Sequence, residues 1–334
     1  MDRVRIAVLG AGALGSVVAA RLLLAGHQVV AVDRPGSAHL AMIAANGLEL
    51  TELDGRTRRI ALPVRAPAAA IVGADLLLVL VKAWATEAAI AAIRGDLPPG
   101  TMVLSLQNGL GQATAIRRGL GAETGGAAID LVVGATAQAA RRLGPGRVRH
   151  SGAGATVIGR EGARVDEPLK RLAATLTDAH LPTTAVEDIA CHLWRKLAVN
   201  VAINGVTALA GVANGAVATD PALRAAAAIL AAEVARVARA LGLEIGDAEA
   251  AVVAVAHETA TNRSSMLQDF DQGRRTEVEA IYGAVLAEAT RLGLDLPATR
   301  VVAALLGARE AGMMGSTARA ATDVSDRETQ GEDG

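Results

Sequence analysis

The chain has 334 residues, 51% hydrophobic and 20% charged, with 33 basic against 34 acidic side chains and a formal net charge of −1. That balance describes a globular protein long enough for two domains; with no basic block and 1% aromatic residues, it argues against nucleic acid as a partner, which needs a cationic footprint or stacking platforms. One cysteine, Cys191, excludes an internal disulfide, no Cys/His group has metal-ligand spacing, and no strand-like apolar run approaches a membrane span. The expectation is a cytoplasmic protein without a metal, a nucleic acid or a membrane as partner, and with Cys191 inert and buried.

Met1-Asp2-Arg3 leads directly into the β-branched run Val4–Leu9, so no export signal is expected. Gly10-Ala11-Gly12-Ala13-Leu14-Gly15 follows, then a helical stretch to Ala25 and a second strand, Gln28–Val32, ending on Asp33. In such a turn the first glycine permits the bend, the second lets backbone approach a pyrophosphate, and the third lets helix pack on strand. A bare G-x-G-x-x-G is weak evidence, but strand before, helix after and a carboxylate at the end of the next strand are the context of a dinucleotide site.

Further on come a helix at about His39–Asn46, a hairpin of Leu48–Leu53 against Thr57–Pro63 turned by Asp54-Gly55, a buried strand Asp75–Val81, a helix from Thr86 and a strand Met102–Leu106. Lys82 and Gln107-Asn108-Gly109 lie at the carboxyl ends of those last two strands, where open α/β sheets hold ligands; a capping lysine and a plain turn are the structural alternatives. Strands are expected at Ala127–Val133, Val148–His150 and Thr156–Ile158, linked by glycine-rich turns, then a helix near Glu167–Asp178 and a strand Leu181–Val186. His150 is expected to be structural or exposed.

From Asp188 the pattern is helical only, with long segments at Ala222–Leu241, Ala248–Asn262 and Thr276–Leu292. The fold class is therefore α/β, an N-terminal Rossmann-type dinucleotide-binding domain over residues 1–187 followed by an all-helical domain over 188–315. The acidic tail 316–334 holds few apolar residues and is expected to be disordered.

Two polar groups stand out in the helical half. Within Leu193–Asn204, Lys196, Asn200 and Asn204 recur at i, i+4 and i+8 in an otherwise greasy helix, so they share one face, drifting about 40° per step. Burying them is costly unless a ligand, water or cavity satisfies them, whereas a stripe facing water is the plain alternative. The second group runs Thr261-Asn262-Arg263-Ser264-Ser265-Met266-Leu267-Gln268-Asp269 and on to Thr276-Glu277. By residue type alone it is a solvated loop with a helix start capped by Thr276.

In this order and spacing the motifs resemble the ketopantoate reductase (2-dehydropantoate 2-reductase) family, from the first strand to about residue 310. The resemblance implies NAD(P)H-dependent reduction of a 2-keto acid to a 2-hydroxy acid, first of all 2-dehydropantoate to (R)-pantoate in pantothenate and coenzyme A synthesis. It implies Lys196 as general acid with Glu277 beside it, Asn262 and Ser265 on the substrate carboxylate, and Asn200 and Asn204 as further substrate contacts. Gly10, Ala11, Gly12, Ala13, Leu14 and Gly15 would hold the cofactor, with Lys82 and Asn108 near its nicotinamide. Arg34 matches a 2′-phosphate-binding arginine and implies NADP (NADPH), while Asp33 keeps NAD open. Where relatives often carry Asn-Gly, this chain has Tyr282-Gly283, which leaves open a reductase for another branched 2-keto acid. A non-catalytic dinucleotide sensor and a dehydrogenase of phosphorylated polyols or opines are the rival classes; a homodimer is compatible with the sequence.

Overall fold

The computed structural model of the chain describes residues 3–67, 71–121 and 129–330, with side chains described as far as residue 315. Contacts divide it into two compact units, Met1–Leu193 and Trp194–Gly334. The division falls inside one helix, Ile189–Ala210.

The described residues of the first unit form one sheet of nine strands: β1 Arg5–Leu9, β2 Gln28–Val32, β3 Leu48–Thr51, β4 Thr57–Ile60, β5 Leu76–Val79, β6 Met102–Ser105, β7 Asp130–Gly144, β8 Arg147–Gly159 and β9 Thr183–Ala185. Their order is β2-β1-β5-β6-β7-β8-β3-β4, with β9 on β8. From β2 to β7 the pairing is parallel, with Ile6 level with Val29 and Leu76, and Leu76 with Met102.

These strands read as continuous apolar runs because both faces are covered, and successive side chains sort to opposite sides. Ile6, Val8, Leu76, Leu78 and Leu104 join the core that includes Val17, Val18 and Leu22 of the helix Ala13–Leu24 and Leu169, Leu172 and Leu176 of the helix Glu167–Asp178. Ala7, Leu9, Leu77, Val79 and Val103 face the other core, with Ile71, Ile90, Ile93 and Ile116. The outer edge of β2 does not stay open. Ala31 N–H donates to Pro63 C=O at 2.8 Å, and Ala31 and Val64 make an isolated parallel bridge.

The β7–β8 ribbon departs from the expected short strands. The strand expected from Ala127 lies partly outside the described residues and is seen from Asp130, while Val148–His150 and Thr156–Ile158 belong to one strand, Arg147–Gly159, without a turn between them. Its glycines serve close approach instead: a Cβ on Gly154 would lie 2.4 Å from the Ala137 Cβ, next to a register shift between Thr136 and Gln138. His150 is buried and structural, its Nε2 2.8 Å from Gln138 Oε1.

The second unit is helical. Asp220, Asp247 and Ser264 cap the helices Pro221–Ala240, Ala248–Glu258 and Ser265–Asp271 with side-chain oxygens. The last helix, Pro297–Gln330, is capped from another element, since the buried Glu233 carboxylate accepts from Ala298 N–H at 3.0 Å and Thr299 N–H at 2.8 Å. That helix takes in the tail expected to be disordered as far as Gln330, where alanines at 318, 320 and 321 favour helix; residues 331–334 and the side chains from 316 onward lie outside the described residues.

Three buried histidines of the first unit are held neutral. Burial is the leading cause that lowers the pKa of His27, His39 and His150, with Arg142 adding to it at His39 and Arg21 at His150. A depressed histidine pKa means that the unfolded chain binds protons that the fold refuses, so this stability is complete above about pH 6.5 and is lost as the pH falls below it. The melting temperature is therefore expected to fall between pH 7.5 and pH 5.5, and thermal melts of His150→Gln should show a smaller difference between the two buffers than the parent.

Candidate active site

The polar groups of the first unit lie in a row at the carboxyl ends of four adjacent parallel strands. Asp33 follows β2, Gly10 follows β1, Lys82 comes shortly after β5, and Asn108 shortly after β6. Gly10 adopts φ +98°, and its N–H donates to Val32 C=O at 2.8 Å, which ties the turn to the end of β2.

The three glycines have different reasons to be glycine. A Cβ on Gly10 would lie 2.3 Å from the Val81 nitrogen, and one on Gly15 would lie 2.1 Å from the Gly10 oxygen, so both are demanded by neighbouring backbone. At Gly12, the N-cap of the helix Ala13–Leu24, a Cβ would meet no protein atom within 4 Å. Packing does not explain that glycine. A smooth surface beside unpaired N–H groups at the start of a twelve-residue helix does, and it fits a pyrophosphate.

The Asp33 carboxylate is turned back onto its own loop. Oδ1 accepts from Arg34 N–H at 2.9 Å and Oδ2 from the Ser37 hydroxyl at 3.1 Å, while Arg34 itself is exposed. Lys82 is half-buried and begins the turn Ala83–Ala85, its C=O accepting from Ala85 N–H at 2.8 Å. Gln107 proves to be a strut: its amide donates to Val81 C=O and to Thr86 Oγ1, both at 2.7 Å, and its Oε1 accepts from Ser105 Oγ at 3.0 Å. It locks the ends of β5 and β6 together, leaving the neighbouring Asn108 half-buried at the strand end.

In the second unit the helix Ile189–Ala210 carries Lys196, Asn200 and Asn204 on one stripe. Lys196 and Asn200 keep part of their surface open, whereas Asn204 is only 5% exposed and its Nδ2 has no hydrogen-bond partner in the protein. An orphaned buried amide is uncommon and marks a place where a ligand or water completes the bonding. Burial brings Lys196 down from the ordinary lysine range to about 8, and the charge of Glu277 opposes that fall.

Glu277 is 7% exposed and sits where Thr276 begins the next helical turn. Thr276 is held by Glu310, whose carboxylate accepts from the Thr276 N–H at 2.7 Å and from its hydroxyl. The preceding turn is fixed by the buried Asp269, whose Oδ1 accepts from the Arg274 guanidinium at 2.7 Å. The plain alternative of a solvated loop does not hold here, because Ser264, Asp269, Thr276 and Glu277 are all buried.

Thr207, and the bond that joins it to Ser264, are what the sequence did not disclose. Thr207 Oγ1 donates to Ser264 Oγ at 2.8 Å, so the segment Asn262–Ser265 lies against the Lys196 helix one turn past Asn204. Asn262 is anchored through its own backbone, its C=O accepting from Asn214 N–H at 2.9 Å; Ser265 stays exposed as the first residue of its helix. Cys191 is not buried as expected. It stands half-exposed near the start of its helix, its thiol 2.9 Å from Asp188 Oδ2.

The sequence matches the family model described as Ketopantoate reductase PanE/ApbA over residues 6–162 and the one described as Ketopantoate reductase PanE/ApbA C terminal over residues 188–310. It is 37% identical over 303 residues to the 2-dehydropantoate 2-reductase of Halobacterium salinarum, covering 90% of this chain and 97% of that one. To the 2-dehydropantoate 2-reductase of Archaeoglobus fulgidus it is 36% identical over 313 residues, covering 92% and 99%. Among solved structures, a PanE/ApbA family ketopantoate reductase from Ralstonia eutropha superimposes with a TM-score of 0.81 at 30% identity, and D-mandelate dehydrogenase with NADH and anilino(oxo)acetate with 0.84 at 26%; each covers 92% of this chain and 99% of its own.

The contrast among the glycines makes a prediction. Gly12→Ala is expected to melt within about 0.5 kcal/mol of the parent while weakening dinucleotide binding about tenfold or more, whereas Gly15→Ala is expected to lower the melting temperature itself. Calorimetric melts and a fluorescence titration with NADPH separate the two, and equal melting losses in both variants would end the distinction.

Proposed function

The chain belongs to the ketopantoate reductase family, and on that footing we propose that it reduces 2-dehydropantoate to (R)-pantoate with Lys196 as the proton donor. The observation that carries this reading is the Lys196 ammonium, lowered to about 8 by burial and opposed by Glu277. When bound, NADPH supplies the hydride. As hydride adds to C2 of the keto acid, the carbonyl electron pair moves onto oxygen; the Lys196 ammonium stabilises that charge and gives up a proton to it. The neutral amine then regains its proton from water, and Glu277 favours the recharged form.

The remaining side chains would hold the substrate. The Ser265 hydroxyl and the Asn262 amide suit its carboxylate, and the unpaired Nδ2 of Asn204, with Asn200 one turn before it, suits its oxygen atoms. For the cofactor, the Asp33 carboxylate is engaged by Arg34 N–H and Ser37 while the Arg34 guanidinium is exposed, which supports Arg34 as the group for a 2′-phosphate and NADPH over NADH. The reading also includes a homodimer, to be checked by sedimentation, and a cytoplasmic location, for which the single cysteine is suited. Among the described residues no helix is long and apolar enough to cross a membrane.

The likeness to D-mandelate dehydrogenase favours one second reading, a different branched or aryl 2-keto acid as substrate. A panel of 2-keto acids, each with NADPH and NADH, decides: the highest kcat/KM is expected for ketopantoate, and a larger value for any other acid transfers the assignment to that acid. In the same assay Lys196→Ala should keep NADPH binding and lower kcat by about two to four orders of magnitude. Because the donor must be protonated, parental kcat for reduction should decline as the pH rises through about 8. Arg34→Ala should raise KM for NADPH about tenfold or more while leaving that for NADH within about twofold.

A further inference from the structure

Tyr282 is the chain's single tyrosine, completely buried in the π-helical turn Glu279–Gly283. That turn follows directly on Glu277, whose C=O accepts from Ile281 N–H at 3.0 Å. The phenol reaches across to the helix of Lys196. Its hydroxyl donates to Val201 C=O at 2.6 Å. In an α-helix the Val201 carbonyl also accepts from the Gly205 N–H, so the hydroxyl shares an acceptor with one rung of the ladder.

Gly205 makes room for this arrangement. A Cβ there would lie 2.2 Å from the Tyr282 hydroxyl and 2.8 Å from Val302 Cγ1. The rung runs one residue out of step with Asn200 and Asn204, and the same turn of helix therefore presents the orphaned Asn204 amide and carries the cross-link to the Glu277 segment. A side chain that served only to fill space would not need an oxygen at this point, and a hydroxyl buried without partners would be costly.

We propose that Tyr282 is a positioning residue: its hydroxyl, seated on the Val201–Gly205 rung, sets the spacing of Glu277 from Lys196 and the presentation of Asn200 and Asn204. This rests on the ketopantoate reductase reading for its catalytic meaning, though not for its geometry. Tyr282→Phe keeps the ring and removes the hydroxyl. The cross-link is then gone, Glu277 supports the Lys196 charge less, and Lys196 loses its proton at lower pH.

The test reads Lys196 without substrate, by the pH dependence of its acetylation with acetic anhydride followed by peptide mass spectrometry, in the parent and in Tyr282→Phe. The midpoint is expected to move down by about half a pH unit, and in turnover assays kcat should fall about tenfold with KM for NADPH unchanged. A parental midpoint and parental kinetics, with only a lower melting temperature, would reduce Tyr282 to packing and overturn the proposal. Should Tyr282→Phe melt too low to assay, Gly205→Ala, which drives a methyl against the hydroxyl, is read in the same way. If the parent does not reduce ketopantoate, the functional reading fails, and the labelling midpoint still decides the role of Tyr282.

Discussion

An ammonium sunk into an apolar helix is the constraint around which the second unit is arranged. Removing such a charge from water costs several kcal/mol unless something opposite compensates it, and the fall of Lys196 to about 8 shows that Glu277 compensates only in part. The neighbouring structure holds that carboxylate in place. Glu310 pins Thr276, Arg274 pins Asp269, and Thr207 pins Ser264. None of these side chains needs to touch a substrate for the proposed function; together they hold the segments around a shifted lysine and the carboxylate that opposes its shift, an arrangement suited to the proton donor proposed for it.

The first unit solves its problem with backbone. Gly10 and Gly15 exist because neighbouring main chain leaves no room for a side chain, and Gly12 because nothing of the protein occupies the space in front of it. Gln107 serves the same end by bonding Val81 and Thr86, so the ends of adjacent strands are fixed before any ligand arrives. Preorganised neutral donors suit a pyrophosphate, whose charge is constant; a titratable lysine suits a carbonyl, whose charge appears only during reaction.

Much of this was legible in the sequence because it is written in local pattern. The parallel strands showed as short apolar runs, the segment Glu167–Asp178 as a helix, and the Lys196 stripe as a repeat of every fourth residue. What could not be read depends on partners distant in the chain. Gly152 and Gly154 look like turn residues until the approach of β7 is seen, Ser264 looks like any helix cap until Thr207 arrives from another helix, and Cys191 looks buried by type until its helix start proves half-open. Tyr282 read as a departure from relatives, and its bond to Val201 spans 81 positions that no spacing rule connects.

The bridge between Ala31 and Val64 has a consequence for the protein's behaviour outside its own fold. An exposed strand edge is a template on which another chain can add. Here the segment around Val64 pairs with β2 on its outer side, and at the opposite end of the sheet β4 presents exposed Arg58 and Arg59. The first margin is hydrogen-bonded by its own chain, and the β4 margin carries exposed guanidinium groups beside Glu49 and Glu52. At these two margins the addition of another chain is disfavoured without any need for the sheet to close into a barrel.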